Sequence, residues 1–268
     1  MDKTFLKWAG GKNWFIKHQA FRLPTNYNTY IEPFLGGGSV YFYMEPEQAI
    51  LSDTNEELVI TFNAIKYEWQ KVYTKLIEHS RKHSKEYYYK IRDYRPRTES
   101  NIAARLIYLN RTCFNGIYRV NRLGKFNVPI GTHTNVLLES DVFELRSALL
   151  QNADLYALDF EVTINLAQAG DFLFCDPPYT VQHNNNGFIN YNERLFTWDD
   201  QIRLAGALHR AKDRGVQIIL TNANHNSVRE LYQSEGFILD SVSRYSSISG
   251  IAGSRKQYEE LIVSSNII

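Results

Sequence analysis

Asp171-Phe172-Leu173-Phe174-Cys175-Asp176-Pro177-Pro178-Tyr179 is the stretch whose reading decides the fold. A short apolar run closed by turn-forming residues reads as a buried strand. An acid, two prolines and an aromatic ring then stand directly at its carboxyl end. Neither proline can donate a ladder hydrogen bond, and each narrows the backbone to a few extended shapes. In open α/β sheets, ligands bind just outside the carboxyl ends of strands. Taken alone, residues 176–179 read equally well as a Pro-Pro turn with a capping Asp, so the argument needs partners elsewhere in the chain.

Outward from this strand, further strand-like runs occupy 29–34, 49–53, 155–160, 216–222, 237–246 and 258–264. Helical patterns occupy 56–75, 198–213 and 227–235. Strands alternating with helices predict an α/β fold with a mostly parallel sheet. The last two strands are joined through 248–254, too short for a helical crossover, so they are expected to pair as an antiparallel hairpin. Residues 67–150 break the rhythm. They are rich in Tyr and Arg and carry the turn signals Asn115-Gly116, Leu123-Gly124 and Val128-Pro129. This stretch reads as an insertion of helices followed by a loop or small hairpin, dividing the chain into 1–66 plus 151–268 and an inserted 67–150.

Composition narrows the function classes. The chain has 268 residues and a net charge of +1, which excludes a uniformly basic nucleic-acid binder but leaves room for a local patch. Such a patch is visible: no acid occurs from Ser100 to Leu138, where Arg105, Arg111, Arg119, Arg122 and Lys125 fall. The charges at 81–97 read as a solvated helix face. The 18 Tyr and 15 Phe supply core rings and surfaces on which bases can stack. Cys113 and Cys175 make neither a disulfide framework nor a metal spacing, so no metal is expected and a reduced, cytoplasmic setting is the default. No apolar run reaches the length of a membrane span, and Met1-Asp2-Lys3 opens no signal peptide.

Phe34-Leu35-Gly36-Gly37-Gly38-Ser39 follows one strand and precedes a helix. Its glycines let the backbone turn tightly and approach a ligand closely. Asp53 ends the next strand, where nucleotide-binding folds place an acid on ribose hydroxyls; a helix N-cap is the alternative. The turn lacks the Lys-Ser/Thr ending of a Walker motif and departs from the dinucleotide fingerprint. A cofactor with ribose but no phosphate fits better than ATP or NAD. At the N-terminus, Lys7-Trp8-Ala9-Gly10-Gly11-Lys12 adds two lysines and a Trp. Trp8 reads as a buried anchor or one wall of a pocket, and Lys12 as solvated or as reaching a carboxylate.

In this order, the N-terminal motif, the glycine turn, the insertion and Asp-Pro-Pro-Tyr resemble the Dam-type, α-group (D12 class) DNA adenine-N6 methyltransferases from about Phe5 to the C-terminal hairpin. The resemblance implies a Rossmann-like S-adenosylmethionine-dependent methyltransferase fold with an inserted helical and hairpin DNA-recognition domain. It implies a pocket for S-adenosyl-L-methionine lined by Trp8, Lys12, Phe34, Gly36, Gly38, Asp53, Asp159, Phe160 and Asp176. Asp53 would take the ribose, Lys12 the methionine end, and Asp159 with Phe160 the adenine ring. It makes Asp176, Pro177, Pro178 and Tyr179 the catalytic set. The adenine amino group is a weak nucleophile because its lone pair is delocalised. Asp176 and the Pro177 carbonyl would accept from its protons and localise that pair, with Tyr179 stacked on a base extruded from duplex DNA. Cys175 then reads as a strand residue and not a nucleophile.

The segment 110–129 resembles the family's recognition hairpin. On that resemblance Phe114 wedges into the duplex beside Asn115 and Ile117, Arg119 reads a guanine of GATC or a related short site, and Lys7 contacts an outer pair. Arg111, Arg122 and Lys125 would hold phosphates. Tyr191, in a polar stretch 180–196 that reads as a mobile loop, would close over the flipped base; a surface tyrosine is the alternative. The family reading also implies a bacterial or phage-encoded protein, monomeric in solution, either an orphan methylase or the partner of a cognate restriction endonuclease. Cytosine-N4, RNA and protein-glutamine methylation are rivals that usually carry Ser or Asn at the Asp176 position and lack the insertion. A non-catalytic DNA-binding protein and a nicotinamide dehydrogenase are more distant readings.

Overall fold

The run Phe172–Cys175 is a strand with every side chain buried. Absence of polar alternation is what a strand covered on both faces requires. The computed structural model describes residues 4–116, 118–121, 124–181, 196–245 and 257–267. Its elements, in chain order, are α1 (Asn13–Gln19), β1 (Tyr30–Glu32), α2 (Ser39–Met44), β2 (Ala49–Ser52), α3 (Glu56–Lys82), α4 (Lys85–Asp93), α5 (Glu99–Thr112), α6 (Phe143–Leu150) and β3 (Ala153–Tyr156). There follow α7 (Phe160–Leu166), β4 (Phe172–Cys175), α8 (Trp198–Asp213), β5 (Gln217–Ala223), α9 (Asn226–Ser234), β6 (Ile238–Tyr245) and β7 (Gln257–Ser265). The chain divides into two compact units, Met1–Phe21 with Leu35–Leu158, and Arg22–Phe34 with Asp159–Ile268.

In the first unit β2 and β3 run parallel, from Ala49 opposite Ala153 to Ser52 opposite Tyr156. Helix α3 starts where Asn55 accepts the Leu58 N–H at 3.2 Å. Glu56 and Glu57 in its first turn and Arg81 and Lys82 in its last complement the helix dipole. The helix kinks at Glu68, where φ is −137°, close to the point at which the sequence rhythm changes. Helix α5 packs along α3. Phe5, Phe42, Phe62 and Phe143 form an aromatic core, with Phe5 4.9 Å from Phe62 and 6.1 Å from both Phe42 and Phe143. Burial of Phe5 and Leu6 ties down the N-terminal segment, which fixes where Lys7 and Trp8 emerge. The charged run 81–97 is a solvated face as expected: Lys85 and Lys90 of α4 are exposed while Tyr88 and Ile91 are buried.

In the second unit β1, β4 and β5 run parallel, and β7 lies antiparallel between β5 and β6. The expected α/β class, mostly parallel with an antiparallel C-terminal pair, is the one found. Helix α8 opens with a capping box, Thr197 and Asp200 holding each other's backbone N–H, and spans the residues its periodicity predicts. One element differs from expectation. The run 155–160 is not a single strand, because β3 ends at Tyr156 and Phe160 opens helix α7. The signal was local: Asp159 is the N-cap of that helix, and short acidic caps compete with strand propensity. The joint 248–254 lies outside the described residues.

Candidate active site and nucleic-acid interface

The first unit holds the glycine turn. Gly36 and Gly38 have φ of +48° and +67°, the left-handed region that side chains disfavour. A Cβ at Gly36 would stand 2.8 Å from Trp8 Cδ1, so the turn and the indole are in closest contact there. Asp53 braces the same turn. Its Oδ2 accepts the Gly36 N–H at 3.0 Å and its Oδ1 the Asn55 N–H at 2.9 Å. Burial raises its carboxyl above the ordinary range, and the backbone N–H groups of Asn55, Gly36 and Thr54 oppose that rise. Asp53 is therefore not the N-cap of α3; Asn55 is. Lys12 is buried, with Nζ donating to the Gly10 carbonyl at 2.9 Å. Gly36→Ala is expected to lower stability by about 1–2 kcal/mol, because it forces a left-handed side chain against Trp8. An unchanged urea midpoint would contradict that.

Trp8 has a second neighbour that its motif does not announce. Its ring stacks on Tyr118 at 5.2 Å and 22°. The Tyr118 hydroxyl donates to Glu57 Oε2 at 2.9 Å, and Glu57 Oε1 accepts from Arg105 at 2.7 Å. Burial, and next the Glu57 charge, push the Tyr118 phenol above its usual value. Arg105 is itself buried and also donates to the carbonyls of Ile91 and Arg92.

The expected hairpin exists. Cys113 pairs with Ile130 and Val120 with Phe126 in isolated antiparallel bridges. The Asn121 N–H donates to the Lys125 carbonyl at 2.8 Å. Phe114 at the hairpin base is 55% exposed, an unusual place for a free phenyl ring. Asn115 beside it is exposed, with φ +58°. Arg119 and Lys125 are exposed, and Arg119 Nε donates to Asn127 Oδ1 at 3.3 Å. Buried Asn110 ties Lys7 to the base of this hairpin. Its Oδ1 accepts the Lys7 N–H at 2.9 Å, and its Nδ2 donates to the Lys7 carbonyl at 2.8 Å.

Arg111 corrects an expectation. Its guanidinium grips Asp141 with two bonds of 2.6 Å and also donates to the carbonyls of Val136 and Phe5. The side chains of Arg111 and Asp141 are 6% and 4% exposed. A guanidinium so enclosed organises its own unit and cannot serve as a phosphate contact. The acid-free patch from Ser100 to Leu138 thus shrinks, since two of its arginines are internal. Ile117, Arg122 and Tyr191, with most of the 180–196 stretch, lie outside the described residues.

The second unit holds the other sequence-derived residues. Phe34 and Phe160 stack at 5.3 Å and 25°, and Phe196 meets Phe34 edge-on at 5.7 Å. Asp159 accepts the Glu161 N–H at 2.9 Å and a bidentate pair from Arg203 at 2.7 and 2.9 Å. Burial pulls its carboxyl up, but the Arg203 bonds and charge outweigh this and hold it below the usual range. Arg203 also lies 4.2 Å over the Phe160 ring; nothing in the sequence of α8 singled it out. At the carboxyl end of β4, Asp176 is half-buried and its Oδ1 accepts the Thr221 hydroxyl at 2.9 Å. Tyr179 donates its hydroxyl to Glu260 Oε2 at 2.7 Å. Burial puts the neighbouring Cys175 thiol well above its ordinary value, which leaves it a packed strand residue without thiolate character.

A braced glycine turn, an acid ending the following strand and Asp-Pro-Pro-Tyr closing a buried parallel strand define an α/β enzyme of the methyltransferase class. The chain belongs to the D12 class N6 adenine-specific DNA methyltransferases, whose family model matches residues 8–246. It is 33% identical to the Type II methyltransferase M1.LlaDCHI of Lactococcus lactis subsp. cremoris, over 97% of this chain and 94% of that one. It is 35% identical to the Type II methyltransferase M.MjaIII of Methanocaldococcus jannaschii, over 97% and 98%. It is 31% identical to the DNA adenine methylase of Vibrio cholerae, over 97% and 95%. Its activity is adenine-specific DNA methylation, and its substrate is DNA. No helix among the described residues is long and apolar enough to cross a membrane.

Proposed function

We propose that the protein methylates N6 of an adenine extruded from duplex DNA, at GATC or a related short site, using S-adenosyl-L-methionine. The observation that carries this reading is the fixed pair at the end of β4, Asp176 held by Thr221 and Tyr179 held by Glu260. When bound, S-adenosyl-L-methionine supplies a methyl carbon on a sulfonium sulfur that departs with the carbon–sulfur electron pair. Its ribose suits the first unit: Asp53 presents a carboxyl oriented by two backbone donors, beside a turn whose glycines leave no Cβ in the way. Trp8, Lys12, Gly36, Gly38 and Asp53 are assigned to the cofactor from that unit, and Phe34, Asp159, Phe160 and Asp176 from the second.

Asp176 and the Pro177 carbonyl accept from the adenine amino protons, which concentrates the nitrogen lone pair toward the incoming carbon. After transfer, Asp176 takes one amino proton. Tyr179 stacks on the base, and the remaining acceleration comes from alignment. Residues 1–66 and 151–268 carry the transfer, and 67–150 the reading of DNA. Exposed Phe114 is the wedge, Arg119 the guanine reader, and Lys7 and Asn115 flank them; Lys125 holds a phosphate.

The test is expression in methylation-free cells followed by sequencing for N6-methyladenine. One short motif methylated throughout the genome is expected, and unmethylated DNA would end the reading. Arg119→Ala is expected to relax discrimination at a single guanine by about 1–3 kcal/mol. An equal loss on every sequence would make Arg119 a phosphate clamp instead.

A further inference from the structure

We infer that Thr221 and Glu260 are positioning residues of the transfer reaction, Thr221 for the acceptor carboxyl of Asp176 and Glu260 for the ring of Tyr179. The inference rests on the roles proposed above for Asp176 and Tyr179. Thr221 is fully buried on β5, between apolar Leu220 and buried Asn222. Its hydroxyl donates to Asp176 Oδ1 at 2.9 Å. That bond fixes the rotation of the carboxyl group, so an amino group arriving beside it meets one orientation and not many.

Glu260 is the less expected residue. It is 2% exposed and begins the buried run Glu260-Leu261-Ile262-Val263 of β7. A carboxyl group in such a strand costs several kcal/mol of desolvation, and an apolar residue would serve the fold better. Its bond is to the Tyr179 hydroxyl, at 2.7 Å. Burial, and then the charges of Asp176 and Glu260, push the Tyr179 phenol well above its ordinary value, so it stays a neutral donor.

Strand register explains how both supports come to one place. Thr221 stands opposite Ile262 and Ala223 opposite Glu260 in the antiparallel β5–β7 pair. Side chains alternate between faces, so Thr221, Ala223 and Glu260 share one face. The antiparallel entry of β7 beside β5 thus delivers a carboxyl group to a tyrosine 81 positions earlier in the chain. A one-residue slip of β7 would turn Glu260 to the opposite face.

The test is steady-state methylation kinetics of the full chain, with cofactor affinity measured separately by calorimetry and thermal melting to confirm folding. Thr221→Val is expected to lower kcat about 10–100-fold, the cost of a misaligned acceptor. The KM for DNA and the cofactor affinity should stay within about twofold of the unaltered protein. Thr221→Ser and Glu260→Gln, which keep a donor and an acceptor, are expected to restore kcat. Glu260→Leu and Tyr179→Phe should each raise the emission of bound DNA carrying 2-aminopurine at the target position without cofactor, because a loosened ring stacks less. Their double variant should be no worse than the weaker single one, since both sever one bond. Additive losses, or Ser and Gln variants as impaired as Val and Leu, overturn the inference. Asp176→Ala run alongside separates the two levels. If it is inactive beside a fully active Thr221→Val, only the inference falls. If it is active, the reading of the site falls and takes the inference with it.

Discussion

Asp176→Ala is expected to reduce methyl transfer by at least about 10³-fold, the range that removal of a positioned acid–base group produces, while cofactor binding is weakened but not lost. The reason lies in the substrate. An exocyclic amino group conjugated to a purine attacks poorly until its lone pair is localised, and Ala offers neither an acceptor for its protons nor a destination for the one that leaves. Asp176→Asn should fall between the two, because an amide oxygen still accepts but cannot take a proton. Transfer of labelled methyl groups to unmethylated DNA checks the rate, and calorimetry with the cofactor checks binding. An Ala variant that methylated at the normal rate would remove Asp176 from the chemistry. The variant also removes the carboxyl group that accepts from the buried Thr221 hydroxyl, so stability is to be measured in parallel.

Asp141→Ala has the largest expected effect on folding. It would leave the Arg111 guanidinium enclosed, with its carbonyl partners but without the carboxylate that balances its charge. Breaking a buried pair from one side costs about 3–5 kcal/mol, because the remaining charge is desolvated and uncompensated. Asp141 also accepts the Leu138 N–H at 2.9 Å, so a turn loses its support as well. Chemical denaturation should show the loss, and the melting temperature should fall by on the order of 10 °C. Arg111→Met combined with Asp141→Leu should recover most of it, since an apolar pair avoids the desolvation. A single Asp141→Ala variant within about 1 kcal/mol of the unaltered protein would show that the ion pair contributes little. If Arg111 acted on phosphate, DNA affinity and not stability would carry the effect.

Much of the fold was legible because its elements are marked locally. The uninterrupted apolar run 172–175, the periodicity of 198–213 and the short joint before 257 each follow from chain geometry over a few residues. Where two local signals competed, the reading failed. Leu155 to Phe160 looks like one strand, yet Asp159 caps a helix and Phe160 begins it. Helices α1 and α6 were not anticipated either, each being too short to display a full amphipathic period.

The site divides in the same way. Motifs identify residues whose chemistry is unusual where they stand: an acid and two prolines ending a strand, glycines in a turn, a phenylalanine and an arginine in a polar hairpin. They give no sign of the charge state or company of a side chain. Arg111 and Arg105 read as surface cations and prove to be buried partners of Asp141 and Glu57. Arg203, Thr221 and Glu260 belong to no motif, Asn110 and Tyr118 were given no role within theirs, and each takes its part through a contact made across tens of residues or more.

By itself, the sequence determined the α/β class, the strand whose end carries Asp176 and Tyr179, the glycine turn at 36–38 and the family to which all three point. These are properties of short stretches, set by hydrophobic period, proline and glycine. Only the tertiary structure decided which charges are available and what holds the reactive groups still. Burial and partnering are set by the register of β7 on β5 and by the packing of α5 on α3. A hydrogen bond between residues 45 or 81 positions apart leaves no trace in the spacing of either.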